Sequence, residues 1–313
     1  MDLQIKTGEI ELSDWKEVVG LIKVYGLKGN AQAQIKVSGT SQKPRLEGIF
    51  KLSDGEMRMA AMKAPITKIN LVANMDGDII KVQKASMDVQ GGEMKASGTI
   101  ENLAAPVMNF KISSNDLDIN KIMPPPASKD AEVKNSKAAN APSMAQALAA
   151  PLAMVRSNDF LKKSTIDIDA DFKKITYGAY DIQDLKSEIY IKNLVFTLKN
   201  SSLKVFKGTV RPYLQVDMAS AKPSYAFKAD MAGVDINAAL VAQSKEFDKT
   251  LTGLANGQVL VNGVGIDDAD IKKNLKGSAQ FNVKDGTWSG TMALKKIARN
   301  FLRYQKQETL FLN

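Results

Sequence analysis

Apolar and polar residues alternate along much of this chain, and such alternation predicts β-strands with one apolar and one polar face. The clearest case is TIDIDADF, residues 165–172, where Ile166, Ile168 and Phe172 share one face and aspartates occupy the other. The same alternation recurs at Ile189 and Ile191, Phe196 and Leu198, Leu214, Val216 and Met218, and Tyr225, Phe227 and Ala229.

Tight-turn signals occur at short intervals between these segments. Turns of this kind connect antiparallel neighbours, so many short strands with such signals predict mainly β, antiparallel structure with few helices. The signals are the dipeptides Asp54-Gly55, Asp76-Gly77, Gly91-Gly92, Asn256-Gly257 and Asp285-Gly286.

Other segments predict a linker and a few short helices. Residues 124–143 are rich in Pro, Ala, Ser and Lys with almost nothing to bury, so we expect a disordered linker. We expect helices over 144–163, which Pro151 ends or kinks, over 14–23, and over 291–307, which is amphipathic and basic. IDDADIKKNL, residues 266–275, predicts a capped helical turn.

Internal repeats are the most informative feature of the sequence. NFKISSNDLDINKI at 109–122 aligns with AFKADMAGVDINAAL at 226–240, and the alignment extends without a gap back to Gly91 and Gly208. A second repeat joins LKGNAQAQIKVSG, 27–39, to LTGLANGQVLVNG, 251–263. LEGIFKLSDGEM, 46–57, shares Phe-x-aliphatic-x-Asp-Gly with LKGSAQFNVKDGTWSG, 275–290.

The composition excludes much of enzyme chemistry. The chain has no His and no Cys, which rules out Ser-His-Asp and Cys-His nucleophile systems and thiolate or imidazole zinc sites. Asp167, Asp169 and Asp171 imitate the start of a calcium loop, but Phe172 and Gly178 stand where such a loop requires Gly and Glu. Carboxylate chemistry remains open, yet no paired acid and base stands out. We therefore expect no catalytic residue, metal or cofactor.

The net charge of +9 suits solubility, anionic lipid headgroups or nucleic acid. Because the lysines are scattered singly and are not interleaved with aromatic residues, we expect no nucleic-acid partner. The sequence shows no secretory signal and no apolar run near the roughly 20 residues that a bilayer span requires.

A two-faced sheet must cover its apolar side. Two sheets can pack as a sandwich, or one sheet can curl and leave its apolar face as a groove. Only 6% of the residues are aromatic, and medium aliphatic side chains leave an interior underfilled, which favours the groove. Such a groove would shelter acyl chains at about 0.8 kcal/mol per CH₂ removed from water.

The order of these motifs resembles that of the AsmA family, the bacterial relatives of TamB. The resemblance is best where LTGLANGQVLVNGVG precedes LKGSAQFNVKDGTWSG and a Leu-Lys-Lys-Ile helix, and DLDINKIMP and GVDINAAL look like recurrent turns of the family. It implies a long curled sheet with an apolar groove, a periplasmic body anchored in the inner membrane, and a part in phospholipid transport and outer-membrane assembly. The anchor is missing and QETLFLN looks like the start of a further strand, so we expect a fragment.

Pattern and resemblance together predict an amino-terminal β-repeat region at 1–123, the linker at 124–143, a helix at 144–163 and a carboxy-terminal AsmA-like β module at 164–313. The expected partners are phospholipid and a membrane, reached through the missing anchor; protein partners stay open. The alternative is a non-catalytic scaffold in envelope assembly. The side chains expected to line the groove are Ile166, Ile168, Phe172, Ile189, Ile191, Phe196, Leu198, Leu214, Val216, Met218, Phe227, Val259, Val261, Phe281 and Val283.

Overall fold

The computed structural model describes residues 2–15, 26–40, 44–58, 62, 64–122, 152–153 and 155–289. Within these residues the fold is mainly β, as predicted: sixteen strands form one large sheet that is not closed into a barrel, with few short helices. The chain divides into two compact units. Unit 1 comprises Met1–Pro126, Asn158–Asn193 and Leu198–Ser201; unit 2 comprises Ala127–Ser157, Leu194–Thr197 and Ser202–Asn313. The strands of 165–192, assigned from sequence to the carboxy-terminal module, thus group with the amino-terminal ones.

Unit 1 is built on long neighbouring strands. They are β1 (Leu3–Lys6), β2 (Ile10–Glu11), β3 (Lys28–Gly39), β4 (Pro44–Met57), β5 (Ile66–Gly77), β6 (Ile79–Asp88), β7 (Glu93–Glu101), β8 (Val107–Ser114), β9 (Leu117–Asp118), β10 (Thr165–Tyr177) and β11 (Tyr180–Lys192). Their order is β1-β3-β4-β5-β6-β7-β8-β10-β11, with β2 on β3 and β9 on β10. The helical elements are a 3-10 turn (Leu12–Trp15), α1 (Ile119–Ile122) and α2 (Asp159–Lys163).

Unit 2 holds the last four strands and part of the strand before them. These are β12 (Val195–Val205), which is shared between the units, β13 (Gly208–Asp217), β14 (Ser224–Asp235), β15 (Leu254–Val264) and β16 (Lys276–Lys284). Its helical elements are α3 (Ile236–Gln243), a 3-10 turn (Lys245–Phe247) and α4 (Asp268–Asn274). From β13 to β16, each strand pairs antiparallel with the next.

The predicted antiparallel pairing has an exception in unit 1. Strand β10 pairs parallel with β8, with Ile166 opposite Met108, and also parallel with β9. A parallel neighbour requires a crossover connection of a dozen or more residues. The connection between β9 and β10 is of this kind and includes the predicted linker 124–143, which lies outside the described residues.

The turn predictions divide into two groups. Asp76-Gly77, Gly91-Gly92 and Asp285-Gly286 are confirmed at strand ends. Asp54-Gly55 and Asn256-Gly257 were wrong, because β4 and β15 run through them. At the first, the register with β5 shifts between Leu52 and Gly55, so the dipeptide forms a bulge inside the strand.

The hairpin turn between β12 and β13 carries no glycine signal. Its central residues Phe206 and Lys207 both have positive φ, 49° and 64°. Positive φ at both positions is the type I′ geometry, which matches the twist of the flanking strands and usually selects Asn or Gly. A turn made of Phe and Lys therefore has no sequence signal that predicts it.

The capped helical turn is confirmed, since the Asp267 carboxylate accepts the Asp270 N–H at 2.7 Å where α4 begins. Within the predicted helix 144–163, residues 152–153, 155–157 and 159–163 are helical, and Asn158 caps the last stretch by accepting the Leu161 N–H. Residues 144–151, 16–23 and 291–307, where the remaining helix predictions fall, lie outside the described residues.

The first repeat is a structural repeat, a hairpin followed by a short helix in each unit. In both copies, the side chain of the matching asparagine accepts a backbone N–H: Asn120 from Gly178 and Asn237 from Lys249, each at 2.8 Å. The matching proline carbonyls also have equivalent roles, since the Pro106 oxygen accepts the Thr165 N–H and the Pro223 oxygen the Gly265 N–H, each at 2.8 Å. Local backbone pairing thus explains the repeated residues.

The second repeat places two glycines in one unusual conformation. Gly29 and Gly253 have φ of +118° and +114°. A Cβ on Gly29 would lie 2.7 Å from Gly55 Cα, and a Cβ on Gly253 would lie 2.8 Å from Gly286 Cα. Only glycine permits both this φ and this close approach of two backbones. In each copy, the repeated glycine therefore lies against the glycine of the repeated Asp-Gly dipeptide, which explains why both positions recur.

Candidate functional site

One face of the unit 1 sheet is apolar from strand to strand. Paired residues on neighbouring strands point to the same face, so the register defines rows of side chains that cross the strands. The first row, from β3 to β11, contains Ile35, Gly48, Met75, Ile80, Ile100, Met108, Ile166 and Ile191. The second contains Ala33, Phe50, Ala73, Val82, Gly98, Phe110, Ile168 and Ile189. The third contains Ala31, Leu52, Leu71, Ala85, Ala96, Ile112, Ala170 and Ser187. We call these rows the unit 1 apolar face.

The opposite face of unit 1 is polar. An open cleft of about 490 Å³ on this side exposes hydroxyl, amide, ammonium and carboxylate groups. Its polar lining residues are Ser97, Thr99, Asn109, Lys111, Asp167 and Asp169. The alternating aspartates of β10 therefore belong to a solvated strand face, and the described residues contain no group of three or more side chains placed to hold a metal ion.

Most side chains of the first two rows are only half-buried. This applies to the residues predicted from β10 and β11, namely Ile166, Ile168, Phe172, Ile189 and Ile191. Phe172 lies beyond the third row, opposite Leu185. A packed interior buries such residues almost completely. Here the neighbouring strands cover their flanks and leave apolar surface uncovered.

Unit 2 has an apolar face of its own, on β13 to β16. One row contains Leu214, Phe227, Val261 and Gly277. The flanking rows contain Pro212, Ala229, Val259 and Ala279, then Val210, Met231, Gly257 and Phe281, then Val234, Ala255 and Val283, and on the other side Val216, Tyr225 and Gly263. All seven predicted residues of these strands share this face; six are half-buried, and Phe281 is 52% exposed.

The face to which Leu198 of β12 points follows from its neighbour. The Lys199 ammonium lies 3.6 Å from the Glu188 carboxylate and 5.5 Å from the Tyr190 ring centre, on the polar face of β11. Because successive residues of a strand point to opposite faces, Leu198 points to the apolar face. Phe196, two residues earlier in the strand, points the same way.

Met218 is the one predicted residue that lies outside the strands. It follows Asp217, the last residue of β13, and its N–H donates to the Leu194 carbonyl at 3.0 Å. Its side chain is half-buried. Met218 therefore belongs to the β13–β14 connection and not to a row of the apolar face.

Aromatic rings lie over glycines on both apolar faces. A Cβ on Gly98 would come within 2.6 Å of Phe110 Cδ1, and a Cβ on Gly257 within 2.8 Å of Phe281 Cδ1. Each ring thus covers the backbone of the glycine opposite, as in aromatic rescue of strand glycines. Because each ring covers a glycine, the apolar face is shallower there than it would be if the ring projected away from the sheet.

One end of the unit 1 apolar face is closed. Ile66, Val89, Leu117 and Ile122 form a buried cluster there, the last of them from α1. Partly buried side chains pack against it: Met57, Met62, Met87, Met94, Phe172 and Ile175 among them. We call this cluster and its packed neighbours the closed end of unit 1.

The perturbed ionisable groups owe their shifts to the fold. The pKa of Asp235 is lowered chiefly because its carboxylate accepts the Ala238 N–H, at 3.1 Å, where α3 begins; Lys207, 3.0 Å away, lowers it further. Burial raises the pKa of Tyr225, whose ring lies over Gly263 on the unit 2 apolar face. Helix capping and burial account for both shifts.

Sequence reasoning missed the apolar residues before β10, from Ile35 to Ile112. The signal was present in VMNFKISS, residues 107–114, where Met108, Phe110 and Ile112 alternate with polar residues. In β4, β5 and β6, bulges interrupt the period of two and small residues replace large ones, so the pattern is weaker there.

Among the described residues, no helix has the length and apolar composition needed to cross a membrane. The model of the AsmA family matches residues 100–306, a range that includes residues of both units, and this match confirms the predicted resemblance. Searches of curated proteins and of solved structures find no match.

Proposed function

This chain belongs to the AsmA family, and on that premise we propose that its apolar sheet faces bind acyl chains and carry phospholipid in the bacterial envelope. The unit 1 apolar face is the observation that carries the proposal. Its rows of aliphatic side chains continue across β3 to β11, most of them half-buried in the first two rows. A ligand of matching chemistry must be long, flexible and apolar.

The energetics of such a face suit transfer. Each Å² of apolar surface that an acyl chain removes from water contributes about 25 cal/mol. A bilayer shelters the same chain equally well, so exchange between membrane and protein is close to neutral in free energy. A lipid can therefore both enter and leave, and the process requires no catalytic residue.

The AsmA family is associated with the cell envelope. We place this protein in the periplasm, held at the inner membrane, where it supports phospholipid transport between inner and outer membrane and outer-membrane assembly. Its net charge of +9 favours approach to anionic headgroups.

Lipid analysis of the purified chain tests the proposal. We expect phospholipid to co-purify, seen by native mass spectrometry and by phosphate content after extraction. We also expect the protein to accelerate movement of a fluorescent phospholipid between vesicles. Lipid-free protein that is silent in the transfer assay would refute the proposal and favour the scaffold alternative, in which the faces are covered by protein.

A further inference from the structure

We propose that the closed end of unit 1 is the floor on which acyl chains stop. A bound phospholipid is then oriented, with its tails toward α1 and its headgroup at the first-row end of the strands. This inference rests on the proposed function, and it names the residue that limits the accepted chain length: Ile122 of α1, beside which adaptable methionines pack.

On β10 and β11, burial increases from the first row to the third. In the first row, Ile166 and Ile191 are half-buried, whereas in the third row of the same strands Ala170 and Ser187 are only 7% and 6% exposed. Beyond the third row lies the buried cluster that includes Leu117 at 6%. On these two strands the apolar face is therefore half-buried at the first row and closed beyond the third row by the cluster that includes α1.

Two hydrogen bonds fix the position of α1, which carries the floor. The Asp118 N–H donates to the Gly91 carbonyl at 2.6 Å, which joins the start of α1 to the β6–β7 turn. The Asn120 side chain accepts the Gly178 N–H at 2.8 Å, which joins α1 to the β10–β11 turn. Ile122, 9% exposed, is thereby fixed against Ile66 and Val89.

Methionines border this floor. Met57, Met62, Met87 and Met94 are partly buried against the cluster. Methionine is unbranched and flexible, so it adapts its shape to whatever packs on it. Terminal methyl groups of acyl chains vary in depth with chain length, and a surface bordered by methionine accommodates such variation better than one bordered by β-branched residues.

The dimensions agree with a chain lying along the strands. Ile166 and Phe172 are six residues apart on β10, which corresponds to about 20 Å at roughly 3.3 Å per residue. One leaflet of a bilayer has about half of the roughly 30 Å hydrocarbon thickness, so an acyl chain extends about 15 Å. A tail that ends beside Phe172 would thus bring its carboxyl end just past Ile168 in the second row, about 5 Å short of Ile166.

Unit 2 repeats the buried residue that precedes the helix. Val234, equivalent to Leu117 in the first repeat, is 5% exposed and directly precedes the capping residue of α3. Phe247 in the following 3-10 turn is 9% exposed. The row at the other side of this face, with Val216 and Tyr225, is half-buried. The repeated Asp-Ile-Asn sequence therefore follows a buried residue, Leu117 or Val234, in each unit.

Depth-dependent quenching in the full chain tests the orientation. Phe172→Trp and Ile166→Trp are made separately in a background with Trp15→Phe and Trp288→Phe. Each is loaded from vesicles of phosphatidylethanolamine brominated near the methyl end or near the carbonyl. We expect methyl-end bromine to quench the tryptophan at 172 more, and carbonyl-end bromine the tryptophan at 166. Equal quenching or the opposite order with lipid bound would overturn the inference.

Chain-length selection provides a second measurement. Ile122→Ala lowers the floor, so the lipids bound from a mixed-length vesicle should shift toward longer acyl chains. The matched control is Ile79→Ala, which removes the same atoms from a side chain 39% exposed on the polar face. An unchanged length profile in both variants contradicts the inference. If the unaltered chain binds no lipid, the proposed function itself is refuted. If Ile122→Ala fails to fold, the two tryptophan variants at positions 172 and 166 still test the orientation.

Discussion

A lysine at position 168 gives a direct test of the apolar face as a lipid site. Ile168 lies in the second row, between Phe110 and Ile189, and is half-buried. In Ile168→Lys an ammonium group occupies the centre of the surface that an acyl chain would cover. A chain that still bound would either bury this charge or lift away from the sheet, and both cost free energy.

The magnitude follows from the length of acyl chain that no longer lies on the sheet. If two or three methylenes lift off Ile168, binding weakens by about 2 kcal/mol at roughly 0.8 kcal/mol each. Since every 1.4 kcal/mol is tenfold in affinity, lipid retention should weaken by about 30-fold. Stability should fall by only about 1 kcal/mol, because complete burial of such a side chain contributes roughly 1.5–3 kcal/mol and Ile168 is half-buried.

Asn109→Lys is the matched control. Asn109 pairs with Asp167 on the polar face beside Ile168, and the change adds the same charge to the same part of the sheet. The assays are bound phospholipid per chain, transfer between vesicles, and urea unfolding. Undiminished lipid in Ile168→Lys, or an equal loss in Asn109→Lys, would refute the reasoning that one face carries the lipid.

Further substitutions test the architecture, each followed by urea unfolding. Gly253→Ala should cost about 1–3 kcal/mol, because φ is +114° and Gly286 Cα lies 2.8 Å from the added Cβ. Leu52→Ala should cost about 2–5 kcal/mol, because Leu52 is 6% exposed in a buried cluster. Asp235→Asn keeps the capping hydrogen bond and removes the charge. This change should lower the free energy of unfolding by about 0.3–1 kcal/mol at neutral pH. The pKa of Asp235 is lowered in the folded state. The difference in free energy of unfolding between the two proteins should therefore be complete above the ordinary aspartate pKa near 4, and it should disappear as pH falls through the lower folded-state pKa.

Each of these predictions has its own control. Gly8→Ala should be close to neutral, because an added Cβ there meets nothing within 4 Å. Leu3→Ala removes a leucine that is 49% exposed, and it should lower the free energy of unfolding much less than Leu52→Ala does. For Asp235→Asn, a stability difference that stays constant between neutral and strongly acid pH would contradict the assigned cause.

The polar face of β10 shows what an alternating strand pattern predicts correctly, and the turn signals show where local reasoning fails. Alternation alone placed Asp167 and Asp169 on a solvated face, and the polar cleft that they line agrees with this placement. The same reasoning placed turns at Asp54-Gly55 and Asn256-Gly257, where the strands continue. A Gly-containing dipeptide satisfies a bulge, a close backbone approach or a turn equally well, so its sequence does not distinguish them.

The sequence by itself determined the two-faced strands, the shared face of Ile166 and Ile168, the repeated hairpins and the family, because alternation and turn chemistry act between near neighbours. Only the tertiary structure decided that β10 pairs parallel with β8, that Met218 lies outside the rows, and that one end of the unit 1 apolar face is closed. These features depend on register and on contacts between residues far apart in the chain, and a local pattern of apolar and polar residues carries no information about which distant strand supplies the partner.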